Sequence, residues 1–358
     1  MPDYDYGNAR LHVMKSRLLS LQILRTLAEE DSLDGLIAAL AGTVYQKSVE
    51  SALTRATGLQ CIDEAMRSDL IHTVGKIRGF YREGAGKMVS IILRMYDIHN
   101  LKAILRGLSK NVPAGDMLLV LLPIGELDIS TLRELAQLND PREAIDLLAS
   151  MGLSFARPLL NVRAESPGAE TFEMELALDK WYHEEARREL RSETGLIDVL
   201  SYALALEADL ANVLTVLRFA QFPDERDLLR EKLGADEIRH LFIGPGHIPY
   251  GLLESACSRD TMASAIETLS GTFFASTLQA GLEAYARSNR LSDIERQLKH
   301  YRLKWMAGQI KKDPLGIGVV LGYVALKVNE VGNIRWITQG INLGLKPDAI
   351  RAELEMVA

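Results

Sequence analysis

The chain has 358 residues, 47% of them hydrophobic and 25% charged, and a net charge of −7. That length can bury two or three cores. The acidic balance excludes a general nucleic-acid binder, which needs a basic footprint. Aromatics are sparse at 6% and Leu, Ala, Glu and Arg dominate, so local propensity favours helix nearly throughout. Cys61 and Cys257 are the only cysteines. They lie far apart, which fits a reducing compartment rather than a disulfide framework. The opening residues carry acids and polar groups where a signal peptide has an apolar region. The longest unbroken apolar runs, residues 117–124 and 315–326, fall short of the roughly 20 residues that span a bilayer. The expectation is therefore no direct bilayer insertion.

The chain opens with YGNARLHVMKSRLLS (6–20), where apolar and basic residues recur at helical spacing. A long helical pattern continues to 53, interrupted at 31–34. Residues 74–87, VGKIRGFYREGAGK, carry four glycines, which predicts a helix break or a close helix contact. The helix containing MYDIHNLKAILRG (95–107) comes next, and NVPAG (111–115) marks a linker. A short apolar helix over 117–122 precedes STLRELAQLNDPREAIDLLASMG (130–152), read as two helices meeting at Asn139-Asp140-Pro141. Residues 161–169 read as a surface loop and 171–190 as a charged amphipathic helix. ADLANVLTVLRFA (208–220) sits in a helix ending near 221, with FPDE as the next boundary. FIGPGHI (242–248) reads as an exposed apolar loop.

YGLLESACSRDTMASAIETLSG (250–271) repeats the earlier helix pair, with Ala144, Ile145 and Leu148 matching Ala265, Ile266 and Leu269. The charged helix recurs too, Met174, Leu178 and Trp181 matching Ile294, Leu298 and Tyr301. Asp313-Pro314 predicts a helix start with Pro in the first turn. KVNEVGNIRWITQG (327–340) lies in the last long helix, and an amphipathic tail (348–356) follows.

Three helices share one grammar. An acid precedes an Asn by three in Asp97/Asn100, Asp209/Asn212 and Glu330/Asn333. Aliphatics follow the Asn by one and four, and Arg106, Arg218 or Gln339 follows by six. These steps stack on one helix side. The three asparagines are spaced by 112 and 121 residues, close to a third of the chain. Such spacing is the mark of a triplication, with expected units 1–113, 114–223 and 224–358. In the first and third copies a base stands three before the acid, Arg94 and Lys327; the second has Leu206 there.

The pattern has two readings. Asn and Asp persist inside helices when a neighbouring group satisfies them, so the residues could make buried hydrogen bonds that hold each bundle together. Alternatively they form polar strips that dock a partner, which makes Arg94, Asp97, Asn100, Asp209, Asn212, Lys327, Glu330 and Asn333 candidate partner-binding residues. Catalytic motifs are not matched. Gly84-Ala85-Gly86-Lys87 has Tyr81 where a P-loop needs its first Gly and Met88 where it needs Ser or Thr. His183-Glu184-Glu185 lacks the second His of a zinc-protease helix. No serine is flanked by glycines as in a nucleophile elbow. No catalytic, cofactor-binding or metal-ligating residue is assigned.

The opening YGNARLHVMKSRLLS, the segment YDIHNLKAILRG and the closing PLGIGVVLGYVALKVNEVGNIRWITQG together resemble the C subunit of archaeal and bacterial V/A-type ATPases, the counterpart of the d subunit of eukaryotic V-ATPases. The resemblance covers nearly the whole chain. It is most specific over 314–340, where Lys327, Glu330, Asn333 and Ile337 match the closing pattern; the middle copy, lacking the base, is looser. It implies an all-α protein of three similar helical bundles in a pseudo-threefold, funnel-shaped arrangement. The function implied is that of a non-catalytic rotor subunit without cofactor, a monomer within its complex. Its wide mouth would take the tip of the central stalk. Its narrow end would sit on the membrane rotor ring, at the cytoplasmic face, coupling the two for proton- or sodium-linked ATP synthesis or hydrolysis. The alternative is a helical-repeat scaffold that binds a partner helix or peptide, although common solenoid periods run only about 20–50 residues.

Overall fold

The computed structural model describes residues 3–166, 168, 170–192, 198–233 and 237–357. Among them every regular element is helical: 19 α-helices, one 3-10 turn and no strand. The chain forms two compact units. One joins Met1–Thr171 to Met306–Ala358, and the other is Phe172–Trp305.

Three long helices frame the first unit: Gly58–Phe80, Glu83–Ser109 and Gly318–Asn342. Around them Leu36, Leu40, Tyr45, Ile62, Met66 and Leu70 are fully buried, each aliphatic contributing about 1.5–3 kcal/mol. The long opening pattern resolves into short helices, Leu21–Leu27, Leu33–Ala41 and Gln46–Leu53. Ser20 and Ser32 cap the first two by accepting N–H groups three residues on, which starts a new helix at each.

The glycine-rich break falls at Tyr81, whose backbone is extended. Its ring lies where a Cβ on Gly7 would sit, 2.3 Å away, and its hydroxyl donates to Asn8 Oδ1 at 2.8 Å. The Asn8 amide donates in turn to Gly316 O at 2.9 Å. The opening Tyr-Gly-Asn is therefore a packing device that ties the first helix, Asp5–Lys15, to the break and to the turn before Gly318. Asp140 caps Pro141–Ser150 through the N–H groups of Arg142 and Glu143, 2.7 and 3.0 Å away.

Two local expectations shift. Residues 161–165 are not loop: Ala156–Glu165 is helical and buries Ala156, Pro158 and Leu159. Pro314 lies in a turn rather than the first helical turn, while Asp313 still serves as a cap by accepting Gly318 N–H at 2.8 Å.

In the second unit, Asp198–Gln221 supplies Leu206, Val213, Val216 and Leu217 to a core shared with Leu253, Cys257, Ala265, Leu269, Phe274 and Leu298. Ala265, Ile266 and Leu269 are buried, as are their counterparts Ala144, Ile145 and Leu148 in the first unit. Arg226, on Pro223–Leu233, pairs with Asp260 at 2.9 Å and donates to Arg259 O at 3.1 Å. It also donates to Cys257 O at 3.3 Å, at the carbonyl end of Tyr250–Cys257.

The loop expected to expose Phe242, Ile243 and Ile248 buries all three. One helix among the described residues, Val199–Gln221, is long and apolar enough to cross a membrane by length and composition alone. Counting unbroken apolar runs missed it because Glu207, Asp209, Asn212 and Arg218 interrupt it. In this fold its apolar side chains are core.

Candidate functional site

The three Asn-bearing helices, Glu83–Ser109, Asp198–Gln221 and Gly318–Asn342, are the motif helices. Each grips a segment further along the chain, its strap. Asn100 Nδ2 donates to Leu122 O at 2.7 Å and Asn100 Oδ1 accepts Leu122 N–H at 2.7 Å. Asn212 does the same to Ile243, at 2.7 and 2.8 Å, and Asn333 to Glu355, at 2.8 and 2.9 Å. A side-chain amide offers a donor and an acceptor side by side at any pH; an ionised Asp would lack the donor.

In the first two copies the acid grips the same strap a few residues further on, at two successive backbone N–H groups. Asp97 accepts from Glu126 and Leu127, at 2.7 and 3.0 Å. Asp209 accepts from His247 and Ile248, at 2.8 and 3.0 Å. The register is the same in both: Leu122 matches Ile243, Glu126 matches His247 and Leu127 matches Ile248. A glycine precedes the gripped pair each time, because a Cβ on Gly125 would fall 2.0 Å from Asp97 Oδ1 and one on Gly246 1.9 Å from Asp209 Oδ1.

The third acid takes another partner. Glu330 Oε1 accepts the Tyr45 hydroxyl at 2.6 Å, and Oε2 accepts Leu19 N–H.

Each clamp also carries a base. Arg94 reaches Glu126 on the first strap at 3.2 Å. Lys327 lies 3.0 Å from Glu330 and 2.8 Å from both Asp69 Oδ2 and the Tyr45 hydroxyl, with its ammonium 4.4 Å above the Tyr45 ring. In the second clamp Leu206 is buried in the core, and His247 Nδ1 stands 3.2 Å from Asp209 Oδ2.

Burial dominates the electrostatics. It pushes the Asp97 carboxyl up to about 7, against the pull of the two strap N–H groups and Arg78. Burial likewise raises Asp209, opposed by the Ile248 and His247 N–H groups and the imidazole. Tyr45 is held well above the usual phenol range by burial first and by Glu330 and Asp69 next.

Of the eight sequence-derived candidates, Asp97, Asn100, Asp209, Asn212, Lys327, Glu330 and Asn333 are buried and engage their own chain. Arg94 is mostly covered, beside an exposed Glu126. The structure brings each set together as a clamp on backbone. Sequence reasoning did not single out Gly125, Gly246, Glu126 or His247, since the strap starts 22 residues after Asn100 but 31 after Asn212, and a fixed offset cannot find both. Arg335 was also missed in this role. It donates to Leu121 O at 3.3 Å and pairs with Asp63 at 3.2 Å, joining the third motif helix to the first strap and to Gly58–Phe80. Beside it a 350 Å³ cavity is lined by Ile62, Val120, Leu122, Val328, Gly332 and Trp336, among others.

Helices that hold backbone straps through repeated buried polar residues define an all-helical protein whose repeated polar motif serves its own fold. Residues 7–353 match the model of the ATP synthase (C/AC39) subunit family, and the chain belongs to that family. It is a rotary-ATPase component and not itself a catalyst. It is 24% identical to the A-type ATP synthase C subunit of Methanocaldococcus jannaschii, over 98% of this chain and 86% of that one. It is 25% identical to the V-type ATP synthase C subunit of Deinococcus radiodurans, over 99% and 92%. With the A-type ATP synthase C subunit of Archaeoglobus fulgidus it shares 26% over 98% and 96%.

Proposed function

We propose that this chain is the socket that couples the central stalk of an A/V-type ATP synthase to its membrane rotor ring, peripheral to the membrane on its cytoplasmic face. The observation that carries this reading is the family match over residues 7–353. The similarity to the C subunits of A-type and V-type ATP synthases supports it over nearly the whole chain. The clamps suit the task. A coupler transmits torque, and closely packed helices with loops tied to them resist deformation. Three similar bundles, one per motif helix, would repeat that stiffening around the socket.

Arg94, Asp97, Asn100, Asp209, Asn212 and Asn333 act on partner binding through the straps they hold, and Lys327 and Glu330 through the core contacts that fix the third motif helix, so docking depends on strap and helix position. A durable contact with either neighbour needs roughly 1,000 Å² or more of buried surface.

Affinity capture of the full chain with stalk and ring subunits from the same organism tests the reading. Both should co-purify with it. Failure to retain either one removes the coupling role and leaves only family membership.

A further inference from the structure

The three clamps differ in where their base comes from. In the first, Arg94 on the motif helix faces Glu126 on the strap, and in the third Lys327 faces Glu330 on its own helix. The second motif helix has Leu206 at that place, fully buried among apolar side chains. Its strap carries His247 at the position of Glu126. The imidazole turns inward, Nδ1 3.2 Å from the same Asp209 oxygen that accepts the His247 backbone N–H at 2.8 Å. The Tyr202 ring lies against it at 4.2 Å and Phe273 approaches edge-on at 5.9 Å. The side chain is 34% exposed, so protons reach it from solvent. The helix position that carries the base in the other two clamps is apolar here, and the ionisable group that faces the acid is an imidazole on the strap, a group suited to act as a proton switch.

We propose that His247 and Asp209 form a proton-operated latch that tightens the second strap, residues 242–248, against its motif helix when the imidazole is charged and loosens it when neutral. The other ionisable groups around the pair come from each packed element. Arg187, on Thr171–Ser192, donates to Pro245 O. Tyr202 comes from the motif helix and Tyr250 from the next helix. Burial lifts the Asp209 carboxyl while the strap N–H groups and His247 oppose that, so protonation of Asp209 sets the acid limit of the latch. A neutral imidazole still donates from Nδ1 in one tautomer, so the charge adds to the grip rather than creating it. The latch rests on clamp geometry and does not depend on which partners dock.

Hydrogen exchange of the 242–248 segment in the full chain, at pH 5.5 and pH 8, tests it with His247→Gln and His247→Lys. Each variant is compared with the unmodified chain at the same pH. The Gln variant should exchange about threefold faster at pH 5.5 and match the unmodified chain at pH 8. The Lys variant should keep the acid-pH protection at both values. A Gln variant that equals the unmodified chain at pH 5.5 overturns the latch. If that variant does not fold, the Lys arm decides alone: protection at pH 8 above the unmodified chain supports the latch, and equality overturns it.

Discussion

The first and second clamps sit in different compact units and are built on straps of different reach, yet they close with one register. Asn grips a residue 22 positions on in one and 31 in the other, and the acid then takes the fourth and fifth residues beyond it. The longer connection holds the extra helix Pro223–Leu233, whose length is cheap because loop-closure entropy grows slowly with length. What is kept is the local geometry: an amide that reads both backbone groups, a glycine that admits the carboxylate, and two successive N–H donors. The bases differ, a permanent cation in the first and an imidazole in the second. Clamping is therefore the shared property, and charge is what separates the copies.

The largest effect should come from the third clamp, where the base is most buried. Lys327→Met leaves Glu330 and Asp69 close together without their cation, and should cost about 3–5 kcal/mol in urea unfolding. A loss below ~1 kcal/mol would mean the carboxylates are not both charged in the folded chain.

Next come the strap glycines. Gly125→Val and Gly246→Val should each cost about 3 kcal/mol by the same measurement, since the new side chain meets the carboxylate. Clearly unequal losses would break the register equivalence of the two clamps.

The pH response of the first clamp follows from its carboxyl. Asp97 binds its proton more tightly folded, with a pKa of about 7, than unfolded, where an Asp titrates near ~3.9. Its contribution is therefore fully present below ~4 and declines as pH rises to about 7. Between pH 5 and 8 this predicts a loss of about 2–3 kcal/mol. Asp97→Asn should flatten that part of the stability profile, and an unchanged slope would show that another group carries it.

Asn100→Ala and Asn212→Ala each remove two hydrogen bonds to a strap residue and should cost about 2 kcal/mol, with faster amide exchange confined to the matching strap. Smallest is Arg94→Met. Its partner Glu126 is exposed, and a pair of that kind contributes less than ~1 kcal/mol. A loss as large as that of Lys327→Met would contradict the division between a base with buried partners and one whose strap partner is exposed.

Much of this protein is legible in the chain itself. The helix pair at Asn139-Asp140-Pro141, the break near Tyr81 and the repeated Ala144/Ala265 helix all follow from periodicity, caps and turn residues. Those signals act within a few residues, so a linear reading captures them. The acid–Asn grammar was visible for the same reason: its members lie on one face of one helix. Their grip was not, because its other half is backbone, which any residue supplies. Distance along the chain hid the rest. Nothing local joins Leu19 to Glu330, Asn8 to Gly316 or Asp63 to Arg335.

The sequence by itself determined where most helices start and stop, that three of them carry the same polar face, and which family the chain resembles. The tertiary structure alone decided that those faces are buried, what they hold, and that the chain's two ends share one compact unit while 172–305 forms another. Helix signals arise from neighbours one or two turns apart, whereas the fate of a polar side chain depends on which distant backbone comes to satisfy it.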